Sequence, residues 1–390
     1  MKLTTSGLAG KSFHSAVVGK VSWQPVPRKD RNKFILLSKD IPADREQLRG
    51  YRGFLTTAKP TADVEAVPTM FSAQELDHLR TNDIVAMEPA NGFIRTLYRP
   101  DSSHNVVFAT QRCNSNCLMC SQPPRDRDDT EALLQRNLEL IRLIDTPPSR
   151  LVITGGEPTL LGDRLFKLIA ALRDKFPTTY LHMLTNGRMF AWSSYTARLA
   201  KVGHPDFMLG IPLYSDDPGV HDYVVQARGA FDQTVLGFQQ LARYGVRVEI
   251  RVVLHAITIP RLSALADYIY RNFTFAEHVA LMGLENIGYA PRNMDQLWID
   301  PADYQDQLES AVEILSTRGL NVSIYNHQLC VLRKSLWKFA RKSISDWKNM
   351  YLEECRGCGV RDQCGGFFQW ATKLHSAHIH ALPAHFDGPQ

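Results

Sequence analysis

The chain has 390 residues, 44% hydrophobic and 22% charged, the balance of an ordinary soluble globular protein long enough for a large core and more than one domain. A net charge of +5 with no long basic run gives no support to nucleic-acid binding. No stretch approaches the roughly 18 consecutive apolar residues that would argue for a membrane span. The start, Met1-Lys2-Leu3-Thr4-Thr5-Ser6-Gly7, lacks the apolar core of a secretory signal, so a cytoplasmic location is expected. Seven cysteines, an odd number, are clustered rather than spread. That argues against a disulfide framework and for metal ligation in a reducing compartment. Free buried thiols would account for one or two of them, not for two clusters.

Residues 1–100 read as a small β-rich module that either docks a partner or covers the core. Ala16-Val17-Val18 and Phe34-Ile35-Leu36-Leu37 are strands, with a polar turn at Arg28–Lys33. Ser72-Ala73-Gln74-Glu75 has the form of a capping box and predicts a short helix through about Arg80. Asp83–Met87 and Gly92–Tyr98 alternate as a hairpin turning at Pro89-Ala90-Asn91-Gly92.

Residues 101–318 alternate regularly. Strands are expected at 104–110, 150–154, 179–184, 206–213, 246–254 and 278–284. Helices follow at about 130–145, 160–174, 193–202, 230–244, 261–272 and 301–317. Six strand–helix repeats imply a parallel sheet with right-handed crossovers, hence an α/β partial (β/α)6 TIM-like barrel with chemistry at the C-terminal strand ends. A flat doubly wound sheet has the same periodicity and stays open as the alternative. Residues 319–390 form a cysteine-rich extension. A strand at 320–325 leads to Cys330, and a basic amphipathic helix is expected at about 332–349, with Leu332, Leu336, Phe339 and Ile344 on its apolar side. Cys355, Cys358 and Cys364 follow. His375, His378, His380 and His385 lie in a tail expected to be frayed, its histidines solvated or capping rather than metal ligands.

Cys113, Cys117 and Cys120 stand at i, i+4 and i+7 directly after the first strand of the repeat. Thirty-five residues past Cys120, Gly155-Gly156-Glu157-Pro158 ends the second strand. Thiolates are the soft ligands iron–sulfur clusters require, and three of them hold three irons of a 4Fe–4S cluster while leaving the fourth iron open. A structural zinc wants four ligands, and no histidine lies between Cys113 and Cys120.

C-x3-C-x2-C followed by G-G-E-P resembles the radical S-adenosylmethionine superfamily. The resemblance implies that Cys113, Cys117 and Cys120 hold a [4Fe-4S] cluster whose open iron binds S-adenosylmethionine, and that reductive cleavage yields a 5′-deoxyadenosyl radical that abstracts a substrate hydrogen. It implies that Gly155, Gly156, Glu157 and Pro158 meet the methionyl ammonium, with Glu157 supplying negative charge, and that the backbone around Met119 lies near the adenine. Met119 stands where the family usually has an aromatic residue. Asn186 of Thr185-Asn186-Gly187 matches a family contact, although Asn-Gly is also a common turn. Ser215 substitutes for a serine that relatives carry where this chain has Pro212. His221-Asp222 matches a family pattern whose following arginine is displaced, leaving Gln226 and Arg228 as candidates. Arg251, a charge inside an apolar strand, needs a partner, either a cofactor carboxylate or a structural salt bridge. No general acid or base is nameable, though Tyr214, Asp216, Asp217, Glu285 and Asn286 lie at strand ends.

Cys330, Cys355, Cys358 and Cys364 offer four thiolates, suited by spacing to zinc or to a fully ligated 4Fe–4S cluster. The C-x2-C-x5-C run resembles the SPASM or twitch extension of peptide-modifying radical enzymes, which implies one auxiliary [4Fe-4S] cluster. The strings Gln111–Pro124 and Cys364-Gly365-Gly366-Phe367-Phe368 resemble the C-type maturases of the His-Xaa-Ser system. That implies a ribosomally made precursor peptide or protein as substrate and a flavodoxin- or ferredoxin-type reductant. A radical enzyme acting on a small-molecule or cofactor precursor is the alternative; a two-cluster electron-transfer or iron-sensing protein is the non-enzyme one, against which Gly-Gly-Glu-Pro argues.

Overall fold

The computed structural model describes residues 3–60, 67–342 and 350–383, which divide into two compact units. The first takes in the chain up to Val107 with Glu131–Leu151 and Asp174–Thr179. Its framework is an eight-stranded sheet of β1 (Thr4–Ser6), β2 (Leu8–Ala9), β3 (Val17–Ser22), β4 (Phe34–Ser38), β5 (Gly53–Thr56), β6 (Thr69–Phe71), β7 (Ile84–Glu88) and β8 (Phe93–Tyr98). The order is β1-β8-β7-β3-β4-β5-β6-β2. β1 pairs antiparallel with β8 at one edge, and β2 pairs antiparallel with β6 at the other. Only Gly7 separates β1 from β2, so one short segment pairs with both edges and closes the sheet on itself, removing its free edges. Alternation along β4 sends Ile35 and Leu37 into one core with Val21, Leu55 and Met87. It sends Leu36 into another with Leu48, Phe54 and Phe71.

The expected strands near Val17 and Phe34 and the hairpin form here, while Arg28–Lys33 winds into a 3-10 turn. The helix expected from Ser72 does not form. Ser72 sits at φ +48°, and the N–H groups of Ser72, Ala73 and Gln74 donate to the carbonyls of Ala58, Thr56 and Ser6. Those are among the unpaired first-turn donors of a helix starting at Ser72, and Leu76 and Leu79 are buried in the sheet core instead. Helix α1 (Thr130–Leu143) and the turn after it contribute ion pairs to this unit: Arg52–Glu139 at 2.7 Å, Arg136–Glu88 at 3.6 Å, and the buried Lys20 with Asp145.

The second unit holds Phe108–Thr130, Val152–Arg173 and the chain from Tyr180 onward. The second sheet is seven-stranded and strictly sequential: β9 (Asn105–Phe108), β10 (Arg150–Thr154), β11 (Tyr180–Leu184), β12 (Phe207–Pro212), β13 (Arg247–Leu254), β14 (His278–Gly283) and β15 (Val322–Tyr325). β11 to β15 pair parallel. The helices are α2 (Asp163–Lys175), α3 (Ser193–Val202), α4 (Pro218–Val225), α5 (Ala230–Arg243), α6 (Leu262–Asn272), α7 (Met294–Leu297) and α8 (Gln305–Thr317). The sequential order settles the architecture. A doubly wound sheet reverses its strand order at a switch point, whereas here every right-handed crossover steps the same way, placing the helices on one face of a curling partial barrel.

β15 is the strand expected at 320–325. Two local features depart from expectation. The turn at Ser215-Asp216-Asp217-Pro218 opens helix α4, with Asp217 capping the Val220 N–H at 2.9 Å and Pro218 at the first helical position. The basic α-helix expected from 332 does not form over the described residues. Lys334–Phe339 is a 3-10 turn, Ala340 bridges Ile324, and Arg341 N–H donates to the Ile324 carbonyl at 2.8 Å. That contact draws the chain back to β15, and Arg333 is fixed by Asp306 and Glu309. Positions 343–349, Ile344 among them, and 384–390, with His385, lie outside the described residues.

Candidate active site

The cysteine loop leaves the end of β9 and is fastened from three sides. Its first fastening is the glycine pair. Ala109 N–H donates to Thr154 O at 2.7 Å, Gly156 N–H to Thr110 O at 2.7 Å and Glu157 N–H to Arg112 O at 2.8 Å, so the loops after β9 and β10 run backbone against backbone. Gly155 has φ +153°, and a Cβ there would stand 2.5 Å from Thr110 O; one on Gly156 would stand 2.1 Å from Arg112 O. Only glycine permits that approach.

The second fastening is Glu157, fully buried, with Pro158 buried beside it at the first position of a 3-10 turn. Its Oε1 accepts from Thr159 N–H at 3.0 Å, Thr159 Oγ1 at 2.7 Å and Thr185 Oγ1 at 2.7 Å. Its Oε2 accepts from Asn186 N–H at 2.6 Å. The carboxylate thereby ties the end of β10 to the end of β11, with acceptor capacity remaining on Oε2. Asn186 Nδ2 donates to Asn114 Oδ1 at 2.6 Å, and Arg188 Nη1 donates to Asn114 O at 2.5 Å and Ser115 Oγ at 3.1 Å while its Nε meets Gln233 at 2.7 Å. The third fastening is the far wall. Asn116 and Leu118 N–H donate to Val225 O and Val224 O at the end of α4, Tyr289 N–H donates to Cys120 O at 2.9 Å, and Asn293 Nδ2 donates to Leu118 O at 2.7 Å. Gly288, at φ +68°, passes so close to Cys120 O that a Cβ would lie 2.1 Å from it.

The three thiols are free and partly buried. Burial, then the charge of Glu157, pushes Cys113 up to about 11; burial, then Cys120 and Cys113, pushes Cys117 up to about 12; burial also raises Cys120. Without a metal these groups stay protonated at neutral pH, and ligation has to expel their protons. Met119 is buried in an apolar cluster with Leu118, Tyr214, Val224, Val225 and Leu297. Burial, then the neighbouring thiols, pushes the Tyr214 phenol well above its ordinary value. Among the described residues no three His, Cys, Asp or Glu side chains surround one ion-sized point. A four-iron cluster, with each thiolate on its own iron, needs no such point, and an all-sulfur donor set on a glycine-supported loop fits one.

The remaining sequence candidates divide. Asn186 reaches the cysteine loop. Ser215 is fully buried in the turn before α4, where its Oγ accepts from Asp217 N–H at 3.1 Å. Asp222 accepts from Gly229 and Phe231 N–H and so fixes the start of α5, while Gln226 and Arg228 are exposed. Arg251 pairs with buried Glu249 at 2.6 Å. Burial raises the Glu249 carboxyl, and the His278 hydrogen bond with the charges of Arg251 and His182 more than reverses that. His278 also meets Ser323, so these residues form one polar network across β11, β13, β14 and β15.

Several residues were not anticipated. Arg188 directly follows Thr-Asn-Gly, and a cation after a loop-contacting turn was a readable sign. Asn114 sits between two ligand candidates. His255, one residue past β13, is fully buried with neither ring nitrogen hydrogen-bonded, and burial lowers it to about 4. It lies beside Tyr214, with ring centroids 6.4 Å apart.

At the second cysteine group the thiols again influence one another's charge. Burial, with Cys364 and Cys355 adding to it, pushes Cys330 up to about 11, and Cys355 is raised by burial and then by Cys364 and Cys358. Cys364 is buried, and Tyr351 OH donates to Cys364 O at 3.1 Å. A cavity of about 460 Å³ lies against Cys330.

The fold and site are those of an α/β partial barrel with a three-thiol loop and a glycine pair at its strand ends. Residues 107–268 match the radical SAM superfamily, whose fold implies a [4Fe-4S] cluster and S-adenosylmethionine. The chain is 27% identical over 153 residues to a GTP 3′,8-cyclase of Petrotoga mobilis (strain DSM 10674 / SJ95), covering 38% of this chain and 46% of that protein. Among solved structures it is similar to SuiB of Streptococcus suis bound to S-adenosylmethionine, with TM-score 0.45, 17% identity and 57% and 50% of the two chains covered. It is also similar to a radical SAM methyltransferase from Sphaerobacter thermophilus, with TM-score 0.42, 15% identity and 66% and 76% covered. The chain spans about half the length of the cyclase and of SuiB. No helix among the described residues is long and apolar enough to cross a membrane.

Proposed function

We propose that the protein is a radical S-adenosylmethionine enzyme that modifies a ribosomally made peptide or protein, with a second iron–sulfur cluster on Cys330, Cys355, Cys358 and Cys364. The observation that carries the enzyme reading is the loop of free thiols Cys113, Cys117 and Cys120, fastened by Gly155-Gly156-Glu157 at the C-terminal end of the half-barrel. When bound, the cluster and S-adenosylmethionine supply reductive cleavage of the sulfonium and hydrogen abstraction from substrate. The chain's part is to hold three thiolates, to present the Glu157 charge beside them for the methionyl ammonium, and to wall the site with Met119 and Tyr214. A flavodoxin- or ferredoxin-type reductant supplies the electron, and residues 1–100 dock the substrate. The peptide reading rests on the resemblance of Gln111–Pro124 and the C-terminal cysteine run to maturases. Similarity to a GTP 3′,8-cyclase over 153 residues favours a second reading, a small-molecule substrate.

The test is metal content after anaerobic reconstitution, with cleavage of S-adenosylmethionine by the reduced protein. About eight irons are expected, falling to about four in Cys113→Ala and in Cys355→Ala, with 5′-deoxyadenosine lost in the first. About four irons with about one zinc overturns the second cluster. No 5′-deoxyadenosine from protein with its irons intact overturns the enzyme reading. A mass change on a His-Xaa-Ser repeat polypeptide, or its absence, separates the two substrate classes.

A further inference from the structure

The tail after the last cysteine is not a loose end. Ser376 and Leu382 are buried, while His378 and His380 between them are exposed. Asp300, just before α8, fastens the near end of this strap. Its Oδ2 accepts from Ala377 N–H at 3.0 Å, and the Ser376 hydroxyl donates to the same carboxylate. Its Oδ1 accepts from Ala302 N–H at 2.9 Å, so the carboxylate itself is held. The far end is fastened by Gly359 N–H, which donates to Leu382 O at 2.8 Å. Between these points the strap aims two backbone donors at sulfur. Leu382 N–H donates to Cys358 Sγ at 3.4 Å, and His380 N–H donates to the Cys330 sulfur. The cavity against Cys330 is lined on its other side by Ala377, His378 and His380.

We propose that Ser376–Leu382 is a built part of the second cysteine site and sets the reduction potential of the cluster there by donating backbone hydrogen bonds to the sulfurs of Cys330 and Cys358; this rests on the reading that the four thiolates hold an iron–sulfur cluster. The physical ground is charge. One-electron reduction adds negative charge that the ligand sulfurs share, and an N–H dipole pointed at a sulfur stabilises the reduced form more than the oxidised one. Two such donors raise the potential, and removing one lowers it. Because the donors are main-chain groups on a strap pinned through Asp300, their effect depends on the strap being seated and not on the identity of its exposed histidines.

The test uses the full chain carrying Cys113→Ala, Cys117→Ala and Cys120→Ala, so that only the second cluster is present. Leu382→Pro removes the donor to Cys358. Pro383 already holds residue 382 in the extended region that a proline adopts, so the backbone path is retained. Leu382→Ala removes the buried side chain and keeps the N–H. Each is reconstituted anaerobically, assayed for iron, and titrated with dithionite while the reduced cluster is followed by electron paramagnetic resonance. About four irons in every variant are expected, with a lower midpoint potential in Leu382→Pro than in the parent and no such shift in Leu382→Ala. Equal potentials in the proline variant and the parent, or equal shifts in both variants, overturn the proposal. Zinc or no metal in the parent triple variant overturns the cluster reading and this proposal with it.

Discussion

Replacing Gly156 with alanine puts a methyl group where the Arg112 carbonyl oxygen now sits. The added carbon would lie 2.1 Å from Arg112 O, 2.6 Å from Arg112 C and 3.0 Å from Gln111 O, all main-chain atoms with no rotamer to escape into. The two backbones have to part by about 1 Å before repulsion subsides. Parting strains the 2.7 Å bond from Gly156 N–H to Thr110 O and the 2.8 Å bond from Glu157 N–H to Arg112 O. At about 1 kcal/mol for each bond and 1–3 kcal/mol for overpacking, the local cost is roughly 3–5 kcal/mol. It falls on the segment that delivers Cys113 to its position, not on the second cysteine group, which serves as an internal reference. Gly156→Ala is therefore expected to fold, to keep the irons of the second cluster and to lose those of the first, taking the iron content after reconstitution from about eight to about four. Visible absorption of the two clusters and iron analysis read the result. A Gly156→Ala protein with its full iron complement would refute the argument that close backbone approach is what the glycine provides.

Arg188→Met removes the donors to Asn114 O and Ser115 Oγ and the charge that lies near Cys117. At about 1.5–3 kcal/mol per charge-assisted bond, the first cluster should lose iron faster to a chelator and show a lower potential, whereas unchanged chelation kinetics would show the clamp is idle. His327 is fully enclosed, its Nδ1 set against Tyr325 O at 2.9 Å and its Nε2 against Tyr304 OH at 2.8 Å, and burial lowers it to about 4. The unfolded chain, near 6.5, takes up the proton first, so the stability this neutral ring provides is complete above 6.5 and is lost as pH falls toward 4. The loss is about 1.4 kcal/mol per pH unit and roughly 3 kcal/mol in all. Urea midpoints between pH 7 and 4.5 should fall less steeply in His327→Gln than in wild type; parallel curves would contradict the assignment.

Much of the half-barrel was legible because its strands from β11 onward are mostly buried on both faces and read as short apolar runs separated by amphipathic helical stretches. The cysteine loop and the glycine pair were legible for a different reason: their chemistry is local, carried by residue types at fixed spacing. The failures share a cause. Ser72–Glu75 has the composition of a helix start, but its N–H groups are taken by Ser6, Thr56 and Ala58, partners between 14 and 68 residues away in the chain. The basic run after Cys330 has helical periodicity, and a contact from Arg341 to Ile324 overrides it. Composition does not record such competition.

By itself the sequence determined the clustering of the thiols, the order of strands and helices, and the glycine pair after β10, since each follows from side-chain chemistry and short-range periodicity. Tertiary structure decided that the sheet curls sequentially instead of winding both ways, and that a six-residue segment closes the first sheet. It also decided that Glu157, Asn186 and Arg188 converge on the cysteine loop, and that the tail turns back to face two sulfurs. The physical reason is range: all of these rest on main-chain and side-chain hydrogen bonds between residues far apart in sequence, and a donor's choice among distant acceptors is fixed only when the chain has folded.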